Sequence, residues 1–305
     1  MKKVYITPRS ITQNGHPALE KLEHKGFKII FGPPGQQPSE EEQLKILPEC
    51  VAYLAGIEPI RANVLKAAKK LKIISRNGVG IDNIDLKAAE QLNIKIKIAA
   101  TANSQGVAEL AMAFIFSAAR SITNCNAHMK NGDWRRVKGI ELEGKTLGII
   151  GCGNIGKRVI KMAIGIGLSV LGYDIYPDKS FSPNNNFKYA DLNEIFKNSD
   201  IISLHNPPDK KPLINKDSIM KMKNGVIIIN TARASIVDES TLLEALNQRK
   251  IAKYATDVYT YEPPKLNALI THENTICTPH IGGYTTESID RAAEMAVDNI
   301  INELS

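Results

Sequence analysis

Between residues 144 and 159 the chain reads GKTLGIIGCGNIGKRV, where Gly151, Gly153 and Gly156 follow the apolar run Thr146–Ile150 and precede a helical pattern. Such spacing suits an anion. Glycines at a strand end permit a tight turn, a close backbone approach and close packing of the next helix, whose free N–H groups and positive dipole end favour a phosphate. A second apolar run, LSVLGY, closes at Asp174, eighteen residues beyond the last glycine. A carboxylate there accepts hydrogen bonds from both hydroxyls of an adenosine ribose and repels a 2′-phosphate, so the unit reads as a site for NAD rather than NADP.

Three later apolar runs also end in side chains that can do chemistry. INTARASIVDE puts Arg233 after GVIIIN, DVYTYEPP brings Asp257 and Glu262, and TICTPHIGG brings His280. A guanidinium fork binds a carboxylate at two points, and a neighbouring carboxylate favours the protonated form of a histidine. If they converge on a crevice between domains, these groups can orient a 2-oxo acid, protonate its carbonyl and leave the hydride to a nicotinamide. His205, in SLHNPP, also closes an apolar run and is the rival histidine.

The elements that must position these residues alternate. VYIT, FKIIF, VAYLAG, KIIS and IKIKIA read as strands between short helical stretches, and TLGII, LSVLGY, DIISL, GVIIIN, AKYATDV and TICTPH form a second series. That order predicts an α/β chain of two doubly wound parallel-sheet domains, with ligands beyond the carboxyl ends of the strands. A long helix is expected from Val107 to Ala127, and an amphipathic one from Glu287 to Leu304, with Ile289, Ala293, Ala296, Val297 and Ile300 on one face, closes the chain.

KIISRNGVGIDNIDLKAA, GVAELAMAFIFSAARSI, ELEGKTLGIIGCGNIGKRV, NTARASIVDE and TPHIGGYTTES together make the chain resemble the D-isomer-specific 2-hydroxyacid dehydrogenases. Within that family it is most similar to D-3-phosphoglycerate dehydrogenases without an extra carboxyl-terminal regulatory domain. The resemblance implies a Rossmann NAD-binding domain, residues 101–282, inserted in a flavodoxin-like substrate domain, residues 1–100 and 283–305. It implies Arg233, Glu262 and His280 as catalytic residues. Gly151, Gly153, Asn154, Ile155, Gly156, Asp174, Asn206, Thr231, Ala232, Arg233, Asp257, His280 and Gly282 would touch NAD. On the substrate side it implies Arg76 and the backbone N–H groups of Asn77, Gly78 and Val79, with Arg233 and His280, and Arg136 beside Trp134 for a phosphate. The expected reaction is oxidation of D-3-phosphoglycerate to 3-phosphohydroxypyruvate for serine biosynthesis, or its reverse, by a homodimer. Ala55, where many phosphoglycerate-using members place an arginine, supports the alternative of a hydroxypyruvate or glyoxylate reductase. An NAD-binding corepressor of the same fold is the third reading.

Composition narrows the partners. The chain has 305 residues, 43% hydrophobic and 23% charged, long enough for two cores and ordinary for a globular protein. Its net charge of +7 comes from scattered lysines without interleaved aromatics, which argues against a nucleic-acid groove. Cys50, Cys125, Cys152 and Cys277 are too dispersed for a zinc site, and no metal is expected. MKKVYITPRS is too short in apolar residues for a signal peptide, so the expectation is a cytoplasmic protein that acts on a small molecule away from membranes.

Overall fold

All twelve strands among the described residues pair in parallel, an arrangement that requires helices on both faces of each sheet. The structure is a computed structural model that describes residues 1–304, and the chain divides into two units, Met1–Asn103 with the segment from Gly283, and Ser104–Gly282.

In the first unit β1 (Lys2–Ile6), β2 (Phe27–Phe31), β3 (Ala52–Ala55), β4 (Ile73–Arg76) and β5 (Lys95–Ile98) form one sheet in the order β2-β1-β3-β4-β5. Successive side chains go to opposite faces. Val4, Ile6, Leu54 and Ile73 join one buried cluster with Ala293, Ala296, Val297 and Ile300 of the closing helix, Thr286–Leu304. Tyr5, Tyr53, Ala55 and Ile74 join Val64, Leu65, Ala88 and Ala89 on the other face. Polar bonds fix the closing helix on the sheet: Ser75 Oγ donates to the Ala296 carbonyl at 2.8 Å, and Asn299 Nδ2 to the Ile98 carbonyl at 3.1 Å.

The second unit holds β6 (Thr146–Ile150), β7 (Ser169–Tyr173), β8 (Phe187–Tyr189), β9 (Ile201–Leu204), β10 (Val226–Asn230), β11 (Ile251–Thr256) and β12 (Thr275–Cys277). Their order is β12-β11-β10-β9-β6-β7-β8, which reverses direction between β6 and β9. Leu147, Ile149, Ile227 and Ile229 face one core, and Ile150, Ile202, Leu204 and Ile228 the other.

Two expectations change. The long helix breaks at Ser121, which takes a left-handed conformation with φ 51°, and its halves, Ser104–Arg120 and Ile122–Lys130, bend by 66°. The Ala119 carbonyl accepts the Ile140 N–H at 2.8 Å, so it is taken up by the returning chain where the helix would otherwise continue. β8 is an additional edge strand. Its three residues lie in the polar stretch NNNFKYADL, and pairing with β7 together with the edge-on packing of Phe187 against Tyr189 holds it in place. Among the described residues no single helix is long and apolar enough to cross a membrane.

Ile300 is fully buried between the closing helix and the first sheet. Ile300→Ala should cost about 2–5 kcal/mol of stability by leaving a cavity. Urea unfolding followed by circular dichroism should show an earlier transition with native helix content intact before it.

Candidate active site

The turn after β6 is built on close backbone contact. Gly151 has φ 96°, and a Cβ on it would lie 2.5 Å from the carbonyl carbon of His205 and 2.6 Å from the Asn206 nitrogen. A Cβ on Gly156 would lie 2.0 Å from the Gly151 carbonyl oxygen. Both glycines are therefore demanded by the fold itself. Gly153 differs: its φ of −77° suits any residue, and nothing lies within 4 Å of the position of its Cβ. What a side chain there would fill is the space before the helix Asn154–Gly165, whose N-terminus has no side-chain cap. Uncapped N–H groups facing open space fit a pyrophosphate.

Asp174, at the end of β7, is fixed by the same turn. Its Oδ2 accepts the Cys152 N–H at 2.8 Å and its Oδ1 the Tyr176 N–H at 2.9 Å. The carboxylate is thus held in place while lone pairs remain for a ribose. Two and three strands away, Asn206 Oδ1 and Thr231 Oγ1 are buried without a hydrogen-bond partner among the described residues. Groups of that kind fit a polar ligand laid across the carboxyl ends of β9 and β10.

β10, β11 and β12 are neighbours, so the residues that follow them leave from adjacent strand ends. His280 Nδ1 lies 2.8 and 2.7 Å from the two carboxylate oxygens of Glu262, and both side chains are partly exposed. The carboxylate makes Nδ1 the donor, so Nε2 is the nitrogen that can gain or lose a proton. Glu262 is steadied by the Tyr259 N–H at 3.2 Å, and the Tyr259 hydroxyl donates to the Thr278 carbonyl at 2.8 Å. His280 itself has φ 53°, a left-handed conformation uncommon outside glycine. Asp257 holds the loop in that shape: its Oδ1 accepts Thr278 Oγ1 at 2.5 Å and the Ile281 N–H at 2.7 Å, and its Oδ2 accepts the Gly282 N–H at 2.7 Å.

Arg233 lies partly buried, with one guanidinium nitrogen donating to the Ala232 carbonyl at 2.8 Å. The sequence reading missed its support. Asn230, the fully buried last residue of β10, donates to the Arg233 carbonyl at 2.9 Å and accepts the Ala232 N–H at 3.0 Å. The signal was available, since an amide at the end of GVIIIN must find partners once it is buried.

The rival histidine is in another environment. His205 Nε2 pairs with Ser203 Oγ at 2.8 Å, its Nδ1 is buried without a partner, and burial pushes its pKa down to about 4. It stays neutral where His280 has a carboxylate.

Other expected contacts are taken up within the chain. Asp257 uses both oxygens on the His280 loop, with three bonds accepted and a lone pair of Oδ2 remaining. In the first unit the Asn77 N–H donates to the Ala55 carbonyl at 2.9 Å and the Gly78 N–H to the Arg76 carbonyl at 2.8 Å, so neither is left for a carboxylate. The Val79 N–H has no partner among the described residues. Arg76 is buried and bonds the Asn77 carbonyl at 2.7 Å. Arg136 is exposed on the irregular segment after Lys130, beside Trp134, which is also exposed. Asn154 and Ile155 open the helix after the glycines, and Ala232 and Gly282 lie on the loops after β10 and β12.

Residues 112–282 match the family described as D-isomer specific 2-hydroxyacid dehydrogenase, NAD binding domain. The chain belongs to the D-isomer specific 2-hydroxyacid dehydrogenases. NAD is the cofactor of this family, and the open space at Gly153, the bare helix N-terminus and the anchored Asp174 fit it. A hydroxypyruvate reductase of Thermotoga maritima is 40% identical over 273 residues, 87% of this chain and 88% of that protein. A D-3-phosphoglycerate dehydrogenase of Methanocaldococcus jannaschii is 43% identical over 268 residues, 86% of this chain and 51% of that protein, so the chain spans about half of that dehydrogenase. The crystal structure of cofactor (NAD+) bound 3-phosphoglycerate dehydrogenase of Entamoeba histolytica superposes with a TM-score of 0.81 at 30% identity, covering 99% of this chain and 94% of that one.

Two outcomes follow for this dehydrogenase. Gly156→Ala should fail to fold stably, whereas Gly153→Ala should keep its melting temperature and lose NADH affinity at least tenfold, measured by calorimetric titration. For His205 the folded pKa lies below the unfolded value, so the unfolded state binds the extra proton and stability falls as pH drops from about 6.5 towards 4. Between pH 7 and pH 5 that loss should be about 2 kcal/mol. Urea midpoints should show it, and His205→Gln should flatten the dependence.

Proposed function

We propose that this protein interconverts a D-2-hydroxy acid and its 2-oxo acid, with Arg233, Glu262 and His280 as its working side chains. The contact between His280 and Glu262, in a chain of this family, carries the reading. In oxidation His280 Nε2 takes the hydroxyl proton of the substrate, and in reduction it returns a proton to the carbonyl oxygen. Glu262 holds Nδ1 and stabilises the imidazolium while that proton is carried. Arg233 binds the substrate carboxylate and polarises the neighbouring carbonyl, in a backbone turn that Asn230 braces. Gly151, Gly153, Asn154, Ile155, Gly156, Asp174, Asn206, Thr231, Ala232, Asp257 and Gly282, with Arg233 and His280 at the reacting end, are the residues that would hold NAD. The chemistry NAD supplies when bound is hydride acceptance in oxidation and hydride donation in reduction.

Two substrate pairs suit these roles. D-3-phosphoglycerate with 3-phosphohydroxypyruvate is supported by the Methanocaldococcus relative and by Arg136, exposed and free to meet a phosphate. D-glycerate with hydroxypyruvate, or the smaller glyoxylate, is supported by the Thermotoga relative, matched over most of its length, and by Ala55, which brings no charge to its strand end. A homodimer is the working form we infer: the helix Ile122–Lys130 buries none of its residues in this chain, and Ile122, Met129 and Trp134 stand exposed along this stretch.

NADH consumption by the purified protein with 3-phosphohydroxypyruvate, hydroxypyruvate, glyoxylate and pyruvate tests the reaction. His280→Ala should lower kcat by about 10²–10⁴-fold. Its NADH affinity should stay within twofold of the parent, and full turnover by this variant would remove His280 from the mechanism.

A further inference from the structure

A carboxylate is buried where the first sheet reverses. β1 and β3 are neighbours there, and the chain leaves β1 towards one edge and β3 towards the other, the place where such sheets receive ligands. Just beyond the two strand ends lie Thr7, Gly56 and Glu58. Glu58 is fully buried. Its Oε1 accepts hydrogen bonds from Thr7 Oγ1, from the Tyr53 hydroxyl at 2.7 Å and from the Gly56 N–H at 3.0 Å. Its Oε2 has no hydrogen-bond partner, and it packs against Gly56 so closely that a Cβ there would lie 2.6 Å away. Among the described residues no lysine or arginine forms an ion pair with Glu58.

The donors that this strand end could turn to an anion are thus spent on a carboxylate inside the protein. Ala55 adds no charge, and the Asn77 and Gly78 N–H groups are bonded to carbonyls of the same unit. Asn83 ties the arrangement together, its Nδ2 donating to the Glu58 carbonyl at 2.6 Å and its carbonyl accepting the Ile60 N–H at 2.8 Å. A phosphate monoester carries between one and two negative charges near neutrality and needs donors. The donors that remain are the Val79 N–H and Arg76, which is buried and bonded to the Asn77 carbonyl. Beside them the phosphate would meet a charge of its own sign, screened little because that charge is buried.

We propose that Glu58 is a specificity-determining residue that sets this enzyme for unphosphorylated 2-oxo acids and against their phosphorylated counterparts. The proposal rests on the dehydrogenase reading above and on the loops after β3 and β4 being the substrate side of the first unit. It acts through charge, so it is separable from bracing. Hydroxypyruvate and 3-phosphohydroxypyruvate share the reacting carbonyl and carboxylate and differ in the phosphate alone, which makes the ratio of their kcat/KM values the readout.

The experiment measures that ratio with NADH for the wild type, Glu58→Gln and Tyr53→Phe, with melting temperatures beside it. The wild type should prefer hydroxypyruvate at least tenfold. Glu58→Gln keeps the shape and removes the charge, and should shift the ratio at least fivefold towards the phosphorylated acid. Tyr53→Phe removes one brace and keeps the charge, so it should lower the melting temperature and leave the ratio alone. A wild type that prefers the phosphorylated acid overturns the proposal whether or not the variants fold, as does an unchanged ratio in folded Glu58→Gln. Turnover of neither acid overturns the dehydrogenase reading and this one with it, whereas turnover with the opposite preference leaves the former standing.

Discussion

The close passage of backbone past backbone at the end of β6 sets the geometry of the second unit. β6 and β9 are adjacent there while the chain runs outward from them in opposite directions, so the turn after β6 packs directly against the turn after β9. With Cβ contacts of 2.5 Å at Gly151 and 2.0 Å at Gly156, no side chain can stand at either point. The same closeness brings the helix Asn154–Gly165 onto the sheet, leaves its N-terminus bare and sets Asp174 where Cys152 can bind it. The open space before that helix is thus a consequence of packing, and Gly153 keeps it clear.

A similar economy governs the contact between His280 and Glu262. A left-handed histidine costs about 1–3 kcal/mol unless its surroundings impose it. Asp257 imposes it by accepting three bonds across the loop that carries His280, and it can do so because it is buried at the end of β11, beside β12. The ring is thereby held against Glu262 by backbone geometry, with little left to side-chain flexibility. Asn230 does for Arg233 what Asp257 does for His280. Arg233 and His280 are each partly exposed on a loop, and each loop is tied to a polar group buried at a strand end.

Much of this was legible from residue types. Runs such as GVIIIN, apolar up to its closing amide, read as strands covered on both faces, and the alternation of such runs with short helical stretches leads to two parallel sheets. Gly151, Asp174 and His280 stood out because each follows an apolar run, and Gly156 and Glu262 because of their spacing from such residues. What the sequence hid depends on contacts between distant segments. Ser121 leaves the helix because Ile140 takes a carbonyl at Ala119, and nothing in AARSITN records that. β8 exists because β7 offers an edge, and its own three residues would not make a strand. The N–H groups of Asn77 and Gly78 look available in RNGVG until Ala55 and Arg76 are placed beside them.

Histidine shows how the environment assigns a role that residue type leaves open. His205 and His280 both follow apolar strands, and pattern alone treats them alike. Around His205 the chain supplies a serine hydroxyl and otherwise apolar burial, which disfavours the charged ring and holds its pKa near 4. Around His280 it supplies a carboxylate at 2.7 Å and partial exposure, so Nδ1 is engaged by Glu262 and Nε2 is the ring nitrogen left for another partner. The same reasoning applies to carboxylates: Glu262 is exposed beside a group that gains charge, while Glu58 is enclosed by hydroxyls and an amide. One carboxylate is thus left open to a partner on a loop, and the other is closed into the bonds that tie two strand ends together.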